Sequence, residues 1–428
     1  MKWRMRYLTM FVSSLLLVTL SFVLWTSNQK KILRIEVYAG SSWDVPNSRE
    51  NRVLDNIIRQ FEKSYPNVKV VYESGIPKKD YDNWLAEKIL KGEQADVFMV
   101  PENDFSMLAS SGAFKSLDSL ISKEEAAAYY PVAYQAGQYQ GHSYALPIES
   151  NPVMMCVNKD LLEKEGISIP NSNWTLEDLY AICQKVTKDT DGDSLIDQYG
   201  ITDYTWKQAL VAYNGHLRNQ NGVNVDSVEM HQALSFISKL DSLNQRYKVT
   251  SNDFDEGKVA FYPMSLAQYR TYKPYPYHVA KYSRFSWTCI PMPAAKAGIP
   301  ATQVKTSLFA MSSKTKQDKL AWEFMKLLCQ NQKNQQELFA KSQGTSVLTS
   351  VVKSSQTKKI LQADDFGLDS LTSQRLDHMM KHSVLDISRD LDYHSLERLD
   401  YLLGNALKNN EIDSILPSIQ REMEETGK

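Results

Sequence analysis

Four aspartates at alternate spacing give this chain its most specific chemical signal. Asp189, Asp191, Asp193 and Asp197 hold the first, third, fifth and ninth places of one short run, and the Leu195 carbonyl stands at the seventh. That spacing folds a loop of oxygens around one hard cation, and calcium takes roughly 6–8 of them. The plain alternative is an Asp-rich turn whose carboxylates are solvated, but without a cation four such charges repel one another. Gly192 comes two places early for an EF-hand, and the twelfth place is Gly200 rather than glutamate. The expectation is therefore a structural calcium outside the EF-hand class. No G-x-S-x-G elbow, H-E-x-x-H pair or P-loop occurs. His378 and His382 lie four apart on a helical stretch, but no third ligand accompanies them, so a solvated helix face is the simpler reading. These residues favour a binding protein over an enzyme. A supply of 23 tyrosines and 8 tryptophans suits stacking on sugars or bases, although rings also fill cores.

The elements that must carry such groups are legible from period and punctuation. The chain has 428 residues, and domains run to about 100–200 residues, so two lobes are expected. A net charge of -1 argues against a nucleic-acid partner. Cys156, Cys183, Cys289 and Cys329 show no metal or redox spacing and read as four buried thiols, with one disulfide left open. Residues 7–25 are apolar and uncharged, with Lys2, Arg4 and Arg6 before them and Lys30 and Lys31 after. That run exceeds the about 7–15 residues of a signal-peptide core, so it reads as an uncleaved transmembrane anchor, with a cleaved signal as runner-up. Alternation predicts strands over 32–38, 68–72 and 95–100, and helical stripes over 53–61 and 81–90. This β-α-β-α-β order implies a mostly parallel sheet flanked by helices. Thr175 and Asp178 form a capping box ahead of a further helix, and 254–262 and 286–290 read as strands. Loops at the carboxyl ends of the strands commonly hold ligand, which singles out Trp43 and Asp44, then Glu102, Asn103 and Asp104.

The order of landmarks resembles the family 1 extracellular solute-binding proteins of ABC importers, the group that includes maltose-binding protein. Phe61, Tyr65, Pro66, Val68 and Val70 fit its F-x-x-x-Y-P-x-V-x-V stretch, and Asp96 with Val97 fits its D-V strand. Gly141, Tyr144 and Pro147 fit G-x-x-Y-x-x-P, and Asn158, Lys159, Asp160 and Leu161 fit N-K-D-L. Phe254, Gly257, Lys258 and Ala260 fit F-x-x-G-K-x-A. Ala321, Trp322, Phe324 and Lys326 fit A-W-x-F-x-K. Together they run from about residue 32 to 350. Two departures stand out: Val347 replaces the proline of Gly-x-x-Pro, and no lipobox cysteine follows the apolar run.

The resemblance implies a two-lobed α/β fold of the periplasmic-binding-protein type II kind, each lobe a mostly parallel sheet. Residues 1–30 form the anchor, 31–148 with 290–344 lobe 1, and 149–289 with 345–428 lobe 2. Crossings fall near 147–151, near 291–293 and after 344, and the lobes close over ligand by hinge motion. A sugar needs aromatic plates with carboxylates and amides. To the strand-end loops this adds Glu149 and Asn151 at the first crossing, then Trp206, Tyr262, Tyr269 and Trp287. The Asp189–Asp197 run is similar to a calcium loop of some polysaccharide-binding members. The implied role is a carrier that binds a carbohydrate, expected to be an oligosaccharide, and serves ABC permease subunits on the extracellular face of the bacterial cytoplasmic membrane. The alternatives are a membrane-tethered sugar sensor or adhesin with the same fold, and a carbohydrate-active enzyme.

Overall fold

The computed structural model describes residues 30–43, 50–220, 222–245, 247–272, 285–364, 370–409 and 411–426. The anchor expected at residues 7–25 and the ligand candidate Asp44 lie outside the described residues. No described helix is long and apolar enough to cross a membrane.

Alternation builds the first half of the sheet. β1 (Lys31–Glu36) turns Leu33 and Ile35 inward, and β2 (Val68–Glu73) and β3 (Val97–Val100) run parallel to it on either side. Between them, α1 (Glu50–Ser64) and α2 (Lys78–Lys91) present Val53, Ile57, Phe61, Tyr81 and Leu85 at helical spacing to the first core. Gly92, with φ of 68°, ends α2 in the left-handed conformation.

β4 (Ala145–Asn158) belongs to both halves of the sheet. β5 (Tyr199–Ile201), β6 (Val259–Ser265) and β7 (Trp287–Ile290) form the second half around its carboxyl end. β8 (Thr302–Met311) runs back alongside β4 to meet β3, and β9 (Thr345–Ser346) and β10 (Ser383–Leu385) add short pairings to β4 and β8. The order is β2-β1-β3-β8-β4-β6-β5. The mostly parallel sheet expected from sequence is corrected to a mixed one. β8 is antiparallel to β3 and β4, and β6, β7 and β9 are antiparallel to β4. A chain that leaves the first half along β4 must re-enter it in the opposite sense along β8.

Along β4 the period of two divides the cores. Met155 and Val157 face the second core, built with α3 (Leu176–Val186), α4 (Trp206–Ala212) and α5 (Val228–Asp241), whereas Met154 and Cys156 face a third core. In the first core, α6 (Asp318–Cys329) sets Phe324 edge-on to Phe61, with ring centroids 5.3 Å apart. α7 (Gln332–Lys341) follows it. α8 (Tyr393–Asn409) and α9 (Ile412–Thr426) close the second core. Thr175 and Asp178 cap α3 reciprocally, at 2.8 and 3.1 Å. Residues 291–295 still pack with the second half: Trp174 Nε1 donates to the Pro291 carbonyl at 2.9 Å and Ala295 N–H to the Ala212 carbonyl at 2.8 Å. The return passage is β8 itself. The strand read over 254–262 begins only at Val259. Asp253 accepts from Thr250 N–H at 2.8 Å and winds Ser251–Asp255 into a helical turn first.

α9 is fastened by a histidine. His231 Nε2 lies 2.9 Å from Asp226 Oδ1 and Nδ1 lies 2.8 Å from Asp413 Oδ1. Burial alone lowers the histidine pKa, but the two carboxylates outweigh it and hold the value above the ordinary one. A raised folded-state pKa adds stability that is complete below about pH 6.5 and disappears as pH rises through the raised value. Melting curves of the unmodified chain and His231→Ala should therefore differ most in mild acid and converge in alkali. A gap independent of pH would contradict this tie.

Candidate functional site

Where β4 passes between the halves, a bulge re-aims it. Ser307 opposes Glu149 but Leu308 opposes Pro147, which leaves Ile148 as the extra residue. The Ile148 carbonyl accepts instead from Gln335 Nε2 at 2.9 Å. Glu149 turns inward and is 3% exposed. Its carboxylate accepts from Gly344 N–H at 2.8 Å and from the Ser342 hydroxyl. Arg270 stands behind them, donating to the Gly344 carbonyl at 2.9 Å and to Asp364 at 3.1 Å. A Cβ on residue 344 would fall 2.5 Å from Glu149 Oε1, so glycine is what lets this amide approach. Burial outweighs these donors and pushes the Glu149 carboxyl up to about 7. The indole N–H of Trp43 is buried beside that carboxylate and pulls its value down, although it stands short of a well-formed hydrogen bond. Tyr38, Gly40, Ser42, Ile148 and Glu149 line the adjoining hollow. Two residues singled out by sequence, more than a hundred positions apart, thus meet at the junction. Asn151 is occupied differently: its Oδ1 accepts from Ala267 N–H at 2.9 Å and secures the helix after β6.

Glu102, Asn103 and Asp104 follow β3 as half-buried residues. Lys305 of β8 and the stretch 386–392 face them. Arg389 Nη2 donates to the Ala136 carbonyl at 3.2 Å, with its guanidinium 5.6 Å from the Phe105 ring centroid. Glu102, Phe105, Thr306 and Arg389 help to line a hollow of about 10 Å³, the room of about one water. Burial pushes the Glu102 carboxyl up to about 7 against the pull of Lys305, while Asp386 adds to the rise. Burial raises Asp104 to about 6, with Asp82 and Asp392 adding repulsion. Carboxylates of both halves therefore crowd one polar junction, and such groups accept strongly from hydroxyl donors. Asp82, Lys305, Asp386, Arg389 and Asp392 were not foreseen. The run Asp386, Arg389, Asp390, Asp392 was a signal, but it sits in a tail whose polarity reads as helix surface.

Four aromatic candidates sit elsewhere than in this junction. Trp206 opens α4 because Thr205 N–H donates to Gln208 Oε1 at 2.9 Å; its indole N–H goes to Asp400 at 2.7 Å inside the second core. Tyr262, Tyr269 and Trp287 pack in the third core. Phe254 lies 5.3 Å from Tyr262 and 6.2 Å from Trp287, and Trp287 lies 5.3 Å from Tyr269. Their rings are committed to neighbours that single-strand patterning cannot reveal.

In the aspartate loop, one carboxylate oxygen each from Asp189, Asp191 and Asp197 lies within 4.8 Å of the others, which fits a hard cation. Asp193 stands outside that group and accepts from Leu195 N–H at 2.8 Å; Leu195 itself is exposed. Amides of Gly192 and Ser194 reach Asp189 at 2.7 and 2.8 Å and hold it below the usual carboxylate range.

The chain is similar in fold to the sugar-binding protein MalE from Xanthomonas citri. The TM-score is 0.74 at 15% identity, covering 92% of this chain and 97% of that one. It is also similar to an ABC substrate-binding protein of Listeria monocytogenes solved with cycloalternan, with TM-score 0.64, 18% identity and coverage of 93% and 99%. Against the maltotriose-binding protein of Pyrococcus abyssi it is 25% identical over 138 residues. That alignment takes in 32% of this chain and 30% of the relative, so the chain matches about a third of that protein's length. The family model for bacterial extracellular solute-binding proteins matches residues 56–364, and the chain belongs to that family.

Proposed function

We propose that the chain is the extracytoplasmic binding component of an ABC importer and that it carries an oligosaccharide between its two halves. The observation that carries this reading is the meeting of Asp82 and Asp104 from the first half with Asp392 from the second, beside Glu102 and Lys305. Acids so placed repel one another until a guest supplies donors, and sugar hydroxyls do so without charge. The family and the sugar-binding relatives support that ligand class, and family members are binding proteins rather than enzymes. Closure would bend β4, β8 and the 386–392 stretch, and Trp43 would offer its indole edge to the guest. The uncharged apolar run 7–25 would hold the chain at the membrane, where permease subunits receive the sugar. Asp189, Asp191 and Asp197 would hold a structural calcium, completed by further oxygens of the loop.

Titration calorimetry against mono- and oligosaccharides should find a saturable sugar, and Glu102→Gln or Asp104→Asn should weaken it about 10–100-fold, as expected when a hydrogen bond to a charged group is lost. Amines or peptides binding where no sugar does would overturn the ligand class. Because the folded-state values of Glu102 and Asp104 are raised, to about 7 and about 6, both carboxylates gain protons as pH falls through that range and lose acceptor strength. Sugar affinity should accordingly fall between pH 8 and pH 5, the span that brackets those two values, and a flat profile would remove these acids from the site. Chelation should lower the melting temperature of the unmodified chain and leave that of an Asp189→Asn/Asp191→Asn variant unchanged. Equal responses to chelator would dismiss the calcium.

A further inference from the structure

The structure pairs two of the four cysteines and separates the others. Cys156 on β4 and Cys289 on β7 are directly opposite in an antiparallel ladder, and their Sγ atoms lie 3.5 Å apart. Both are fully buried in the third core. Cys183 lies in the second core and Cys329 in the first, so neither can reach the pair or the other.

The ladder geometry favours a covalent link. The Cys289 N–H donates to the Ser370 carbonyl at 2.8 Å, on the side away from β4. Cys289 and Cys156 therefore form a non-hydrogen-bonded pair, the kind whose Cα atoms approach to about 4.5 Å and whose side chains stand closest. That separation lies inside the about 4.4–6.8 Å window that a disulfide accepts. Met154 and Trp287 lie in the same core as the pair, so both thiols project from one face of the sheet.

We infer that Cys156 and Cys289 form an intramolecular disulfide that fastens β7 to the strand shared by both halves. The oxidant is a disulfide, either a small-molecule one or that of a thiol–disulfide oxidoreductase. One cysteine thiolate attacks a sulfur of that disulfide and expels a thiolate. The second cysteine then attacks the mixed disulfide, forms the Sγ–Sγ bond and releases the other thiol. The two cysteines together lose two electrons and two protons, and the oxidant is reduced to two thiols. The pair closes while the chain is folding, before the core buries it. Residues 133 positions apart in sequence become joined, and closing so long a loop restricts the unfolded chain strongly. In the cell the link depends on the extracytoplasmic location proposed above, because cytosolic thiols are kept reduced.

The test refolds the reduced, denatured full chain into a buffer of reduced and oxidised glutathione, then quenches with acid and alkylates under denaturing conditions. The expected result is two alkylated thiols, Cys183 and Cys329, and a peptide map linking the segments that carry Cys156 and Cys289. Reductant should then lower the melting temperature of the refolded chain by several degrees. A Cys183→Ser/Cys329→Ser variant should keep the link, and Cys156→Ala should abolish it. Four alkylated thiols in the unmodified chain, or a link through Cys183 or Cys329, would overturn the inference. The refolding equilibrium in the glutathione buffer is independent of where the chain resides, so a cytoplasmic location would sink the functional reading and leave this refolding result unchanged.

Discussion

The ladder between β4 and β8 runs from Val304 opposite Pro152 to Ala310 opposite Ala145, and β4 continues into the second half, where β6 and β7 pair with it. Backbone hydrogen bonds cannot be left unmade in a buried strand, so this ladder fixes the register of β4 where it passes between the halves. The bulge at Ile148 is the one interruption, and it falls at the junction. It directs Glu149 inward, and Glu149 then requires Gly344, Ser342 and Arg270 around it. A buried carboxylate with those partners is costly to disturb, because removing one leaves a desolvated charge or an orphaned donor.

From that constraint the polar junction follows. β3 ends at Val100, beside β8, so the loop of Glu102 to Asp104 must emerge where Lys305 and the 386–392 stretch pass. Burial raises Glu102 and Asp104, and the approach of Asp82 and Asp392 adds to the effect on Asp104. Carboxylates raised by burial and by one another's charge at such a junction are candidate acceptors for a guest's donors. Arg389 contributes differently: it bridges to Ala136 and Phe105 and so ties the late stretch of chain to the first half.

Much of the first half, and one helix of the second, was legible in the sequence. Leu33, Ile35, Val68, Val70, Val97 and Val100 alternate or cluster as buried strands do, and Thr175 with Asp178 announced α3. The strand-end loop at Glu102 and the crossing at Glu149 were also readable, since a parallel β-α-β order fixes where loops gather. Strand direction beyond β4 was not, because period two is the same in parallel and antiparallel ladders. Aromatic roles were not either. Trp206, Tyr262, Tyr269 and Trp287 find partners such as Asp400 and Phe254 only after distant segments dock. The late charges Asp386, Arg389 and Asp392 gain meaning only once β10 pairs with β8.

Small-angle X-ray scattering of the chain with and without the sugar that binds it most tightly tests the central claim most directly. Halves joined by bending strands around a polar junction predict a smaller radius of gyration in the sugar-bound chain. An unchanged scattering profile at full saturation would contradict closure across that junction.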